Sequence, residues 1–298
     1  VSATSTILAP AYGRLWGYVA LTKPDVTLLV LMTTFAGYYM AASGGVNWLH
    51  LTHAVLGTAL IGAGTSALNH YVERDADARM RRTASRPLPL GVLSPGEGLG
   101  FGMGLTLGGA IYLALTTNWL ASGLGVATSA VYLGLYTPLK KRTWLSTLVG
   151  AFPGAVPPLI GWAAARGELS RDAGLLYAIL FLWQFPHFYA IAWMYREDYA
   201  RAEIRMLPVV EPSGDSTFRQ ILATAAMLIP LTMLPGVTGL AQPRYFFGAL
   251  LLGVAQLLVC LWAARTRSNL RAKWLMHATV AYVPLLLGLM MWEKSLRL

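Results

Sequence analysis

Charge is what this chain has least of. Only 12% of its 298 residues are Asp, Glu, Lys or Arg, against roughly 25% in a soluble domain. That leaves too little polar surface to meet water on all sides. Cysteine is scarcer still. The single Cys260 excludes an intrachain disulfide and a cysteine-based metal cluster, and inside an apolar run it reads as a small packing residue. The apolar–polar alternation of a membrane β-barrel is missing, and so is any clear internal repeat. The opening residues, VSATSTILAPAYGRLWG, lack the basic start and compact apolar core of a cleavable signal and the arginines of a transit peptide.

What is present is apolar sequence, 56% of the chain, in runs of about 20 residues, enough to cross a hydrocarbon core roughly 30 Å thick. Gly, Pro and charge punctuate these runs into nine expected spans: 14–42, 51–72, 98–116, 119–136, 144–164, 173–195, 218–239, 245–264 and 274–292. The chain therefore reads as an all-α polytopic membrane bundle, a single domain over 1–298 with 1–13 as a flexible leading segment. Lys23, Pro24 and Asp25 interrupt the first span, at the expected membrane surface. Of the 23 Lys and Arg, only Arg166, Arg171, Arg244, Lys294 and Arg297 fall on one side of this layout; all the others fall on the side of the N-terminus. The positive-inside rule then places the N-terminus and the even-numbered loops in the cytoplasm, with a bacterial inner membrane as the simplest address. The net charge of +10 is explained by orientation and anionic lipid, so nucleic acid is not an expected partner.

Orientation does not explain the carboxylates. Glu73, Asp75 and Asp77 crowd the loop after the second span, and Glu197, Asp198, Glu203, Glu211 and Asp215 the loop after the sixth. Asn69, Glu73 and Asp77 are spaced four and four, so on a continuing helix they form one stripe with about 6 Å between neighbours. Amide and carboxylate oxygens so placed suit Mg²⁺, which binds one or two carboxylates and leaves positions for water and phosphate. Arg81, Arg82 and Arg86 follow as donors for phosphate oxygens. A salt-bridged surface helix gives the same pattern, but the sixth loop strengthens the metal reading. There Asp198 stands at a span end, with Arg201 and Arg205 near its face if the helix runs on. Two acidic–basic clusters on one side could hold a diphosphate between metal ions. A third piece is YTPLKKRT, 136–143. Tyr136 and Lys140 share a helical face unless Pro138 breaks it, and Lys140, Lys141 or Arg142 could neutralise a departing diphosphate. A belt tyrosine with orienting lysines is the plainer alternative.

Together these pieces resemble the UbiA superfamily of intramembrane prenyltransferases, whose first acidic motif reads N-D-x-x-D-x-x-x-D. Here it stands as Asn69, His70, Glu73 and Asp77, followed by an intact R-T-x-x-R-P-L at Arg82, Thr83, Arg86, Pro87 and Leu88. The second motif, D-x-x-x-D, survives as Asp198 alone, with Ala202 at its end. The stretch WQFPHFYAIAWMYREDYARAEIRMLPVV, the Y-T-P-L-K-K-R-T run and VPPLIGW are similar to the heme O synthase branch, although Glu203 stands where that branch leads us to expect Gly. The resemblance implies a nine-helix bundle around a central cavity. It implies Mg²⁺-dependent transfer of farnesyl from farnesyl diphosphate to a vinyl group of haem b, with Asn69, Glu73, Asp77 and Asp198 on metal and Lys140 catalytic. Arg82, Arg86, Tyr136, Lys141, Arg142 and Arg201 would meet substrate. His187, a histidine within a span and so functional by default, could contact haem iron, bond a neighbouring helix or handle a proton. Aromatic faces for an allylic cation could come from Tyr132, Tyr136, Phe152, Trp183, Phe185 and Tyr189. A downstream haem A synthase is a candidate partner. An aromatic acceptor such as 4-hydroxybenzoate is the rival within the reaction class. A transporter, with polar sites near the midplane, or a haem-binding redox subunit, with histidine pairs, fits the residues less well.

Overall fold

A computed structural model describes residues 13–295; of the expected flexible segment, residues 1–12 lie outside the described residues. The described residues form fourteen α-helices and one π-helical turn, without strands. In order these are α1 (Arg14–Leu21), α2 (Pro24–Ala41), α3 (Trp48–Asp77), α4 (Pro95–Thr116), α5 (Trp119–Val131), the π turn (Tyr132–Tyr136) and α6 (Thr137–Leu139). Then come α7 (Ser146–Gly154), α8 (Pro157–Arg166), α9 (Arg171–Met194), α10 (Arg196–Arg201), α11 (Leu207–Val210), α12 (Asp215–Thr238), α13 (Tyr245–Thr266) and α14 (Asn269–Ser295). Eight of the resulting rods are long and apolar enough to cross a membrane, and α1 with α2, bent by 43°, makes a ninth. The expected spans are all present, and the protein is an integral membrane protein.

Local chemistry sets the ends. Asn47, Asn118 and Ser170 cap α3, α5 and α9 through their side-chain oxygens, and Ser94 with Glu97 forms a capping box at α4, satisfying amides that a helix start leaves orphaned. Small residues then bring the rods together. An added Cβ on Gly37 or Gly161 would collide with the backbone of Pro158 or Thr34, so α2 and α8 cross at near backbone contact, as small residues permit in lipid. The glycine-rich face of α4 divides. Gly102 and Gly109 pack onto α3, whereas Gly100, Gly104 and Gly108 meet open space.

Two departures from regularity position the site. α3 has 30 residues, about 45 Å at 1.5 Å per residue, whereas the hydrocarbon core takes only about 20 of them. Its last turns, which carry Asn69, Glu73 and Asp77, therefore rise beyond the apolar layer. The break between α1 and α2 is made at Lys23, which adopts a left-handed φ of 46° with Pro24 opening the next helix. The kink expected there is real, but Lys23 points into the bundle end rather than along the membrane surface.

Candidate active site

The stripe on α3 forms as its spacing predicts, and each member has a partner drawn from elsewhere in the chain. Lys23 Nζ donates to Asn69 Oδ1 at 2.7 Å. Lys140 Nζ donates to Glu73 Oε1 at 2.7 Å, and Arg86 Nη1 to Asp77 Oδ2 at 2.7 Å. Asn69 and Asp77 are buried, at 1% and 0% exposure. That explains the pairing, since an unmatched carboxylate so far from water would be very costly. The arginines and lysine expected to stand free for phosphate are thus engaged with the stripe. One acceptor is left over: Asp77 Oδ1 is buried and has no hydrogen-bond partner.

Lys140 reaches Glu73 because of the π turn. That wider turn makes Pro138 one of the first residues of α6, where its missing N–H costs little, so the chain continues instead of breaking. Lys140 Nζ then lies 4.4 Å from the centre of the Tyr136 ring. Burial alone would lower the Lys140 ammonium, but the Glu73 carboxylate outweighs it and holds the group well above its usual range. Lys140 stays charged.

Asp198 closes the rim. Its carboxylate accepts from the backbone amides of Arg81 at 3.3 Å and Arg82 at 3.1 Å and pairs with Arg201. Arg81 lies four residues beyond Asp77, at most roughly 14 Å along the chain, so the two acid-bearing loops converge. The third loop joins them, because Arg205 N donates to Lys140 O at 2.7 Å. A cavity of about 440 Å³ opens here, lined by Arg81, Arg82, Tyr195, Glu197, Asp198 and Arg201. The Arg82 guanidinium lies 4.7 Å from the centre of the Tyr195 ring. Lys141 and Arg142 are exposed on the same rim.

Several expectations are corrected. Arg205 does not share a helical face with Asp198, because α10 ends at Arg201 and Ala202 is fully buried. Glu203 adopts φ 58°, the left-handed region that favours glycine, which accounts for the Gly expected at that position; its carboxylate meets Arg79 at 3.4 Å. Of the roles open to His187, helix bonding is realised: its Nδ1 is 2.9 Å from Thr279 Oγ1 on α14, and its ring stacks 5.4 Å from that of Trp183. His50 and His53 sit in the first turns of α3 rather than in a loop, bonded to Tyr38 and Tyr112. Lys23 was missed as a site residue. Its signal was a lysine interrupting an apolar span, which is costly unless it has a partner. His70 is 2% exposed, with neither ring nitrogen partnered. Among the described residues no three acidic, histidine or cysteine side chains gather as a metal cluster, so the symmetric two-metal arrangement has no support from the protein's own ligands.

The UbiA prenyltransferase family model matches residues 30–289. The protoheme IX farnesyltransferase of Solibacter usitatus (strain Ellin6076) is 49% identical over 286 residues, covering 93% of this chain and 98% of that protein. The protoheme IX farnesyltransferase of Koribacter versatilis (strain Ellin345) is 46% identical over 309 residues, covering 99% of both. Among solved structures, a UbiA homolog from Archaeoglobus fulgidus bound to DMAPP and Mg²⁺ aligns with a TM-score of 0.69 at 16% identity over 92% of this chain and 98% of that one. Digeranylgeranylglyceryl phosphate synthase aligns with a TM-score of 0.77 at 14% identity, covering 95% of this chain and 99% of that one; at such identities the likeness is one of fold. With the family model spanning most of the chain and two relatives near half identity along their whole length, this protein belongs to the UbiA prenyltransferase family.

Proposed function

We propose that the chain transfers the farnesyl group of farnesyl diphosphate to a vinyl group of haem b, giving haem O and diphosphate. The observation that carries this reading is the seating of Asp198 on the backbone of Arg81 and Arg82, which gathers both acid-bearing loops at one rim. The acceptor is inferred from relatives that bear the protoheme IX farnesyltransferase name. Haem b is a substrate here, not a resident cofactor.

The residues fit Mg²⁺. Asp77 Oδ1 is a buried acceptor without a partner, and the ion asks a protein for only one or two carboxylates. Asn69, Glu73, Asp77 and Asp198 would hold it. When bound, it supplies positive charge that stabilises the charge gathering on the leaving diphosphate. The cations now paired with the acids, Lys140, Arg86 and Arg201, join Arg82 in donating to diphosphate oxygens, where fixed donors stabilise developing charge. Lys141 and Arg142 draw the anionic substrates to the rim. As the allylic C–O bond breaks, its electron pair leaves with the diphosphate, and Tyr132 and Tyr136 offer π faces to the cation left behind. The vinyl π pair forms the new C–C bond. Water adds to the carbon thus made electron-poor, and its proton passes to solvent. His187 provides a haem contact from α9. The basic rim orients the chain in a bacterial inner membrane with the N-terminus and this site in the cytoplasm, and a haem A synthase taking up the product is the partner this reading implies.

The test offers purified protein in lipid vesicles farnesyl diphosphate with either haem b or 4-hydroxybenzoate, and weighs the products by mass spectrometry. Haem O is expected, lost on chelation with EDTA and restored by Mg²⁺. Prenylated 4-hydroxybenzoate without haem O would overturn the acceptor, and full turnover in EDTA would overturn the metal.

A further inference from the structure

Away from this rim, α12 and α13 part at the same end of the bundle to leave a cleft of about 730 Å³, within the roughly 300–1,000 Å³ range of ligand sites. Its walls are apolar, with Phe218, Leu222, Ala223 and Leu261 among them, and its mouth carries Arg219, Arg265, Arg267 and Asp215. The arginines are not equivalent. Arg267 is engaged, with Asp215 Oδ1 at 2.6 Å and Ser213 O at 2.8 Å. Arg219 touches only the Ser216 hydroxyl, at 3.3 Å, and Arg265 is exposed with no acidic partner among the described residues. The mouth therefore holds two uncompensated guanidinium groups over an apolar slot. Its depth is marked independently by Trp262 on α13, 40% exposed and stacked with Arg271 at 4.6 Å; tryptophan beside arginine is the signature of the headgroup level.

We propose that this cleft binds one anionic phospholipid of the surrounding leaflet, its phosphate held by Arg219 and Arg265 and an acyl chain lying against Leu222, Ala223 and Leu261. Charge complementarity selects this occupant. Guanidinium forks match phosphate oxygens bidentately, and basic pockets between membrane helices suit anionic head groups. Free phosphate would meet the arginines but leave the slot unfilled. Phosphatidylcholine brings its own ammonium, which offsets the attraction.

Native mass spectrometry of the full chain, stripped of lipid in detergent and titrated with phosphatidylglycerol or phosphatidylcholine of the same acyl chains, tests this. Phosphatidylglycerol is expected to bind first, as a single adduct that equimolar inorganic phosphate does not displace. The double variant Arg219→Gln/Arg265→Gln should bind it about thirtyfold more weakly, with prenyl transfer retained as proof of folding. Ala223→Trp, which fills the slot and keeps both arginines, should weaken it too. Equal binding of the two lipids, displacement by phosphate, or affinity unchanged in either variant would overturn the proposal.

Discussion

At one end of the bundle Glu73, Asp77 and Asp198 face Lys140, Arg86 and Arg201. At the other, Lys294 and Arg166 face backbone. Lys294 Nζ donates to the carbonyls of Tyr39, Met40 and Ala42 at 2.6–2.9 Å, and Arg166 Nε to that of Ala41 at 2.6 Å. These are the carbonyls that the C-terminus of α2 leaves without an intrahelical donor, and the negative end of the helix dipole favours cations there. The same residue types thus do two jobs. Cations bonded to carbonyls hold helices together and have nowhere better to go. Cations bonded to carboxylates at the ends of flexible stems can exchange partners when an ionic ligand arrives.

Breaking the exchangeable end should cost activity first. Asp77→Asn and Asp198→Asn are each expected to lower turnover by about 10³-fold or more, with folding in membranes preserved; near-normal haem O formation by either would remove that residue from the metal site. Lys140→Met, which leaves Glu73 unpaired and takes a donor from the diphosphate, should cost about 10²-fold in kcat. Glu73 and Lys140 should also couple, so that the double change costs less than the sum of the two, as a double-mutant cycle would record.

Breaking the stapled end should cost stability instead. Lys294→Met keeps the apolar stem and deletes three charge-assisted bonds, for an expected loss of about 2 kcal/mol, seen as a lower Tm in detergent at unchanged kcat. A large loss of activity without a change in Tm would erase the distinction between the two ends. The smallest effect is at Glu203. Glu203→Gly releases a left-handed side chain and gives up an exposed ion pair of little worth, for an expected gain of about 1 kcal/mol measured by the same melting curve.

The spans were legible because roughly 20 apolar residues in a row have few other uses, and the α3 stripe because a spacing of four survives wherever the helix does. Partners were not legible. Lys23 lies 46 positions from Asn69 and Lys140 67 positions from Glu73, and no local period encodes such a meeting. Arg205 was misplaced because the chain leaves the helix at Ala202, where no Gly or Pro announces the turn; Glu203 stands in a conformation that a glycine would have revealed. The polar groups of the site were visible as residue types, but which of them face one another depends on packing.

One consequence follows from the turn at Tyr132–Tyr136. A π turn accommodates an extra residue within the helix. Excising one of its five residues would let α5 run on with ordinary pitch and rotate everything after it by roughly 100°, carrying Lys140 round the rod and away from Glu73. A substitution there can be gentle, but a codon lost from that stretch would unwire the rim while leaving every span long enough to cross the bilayer.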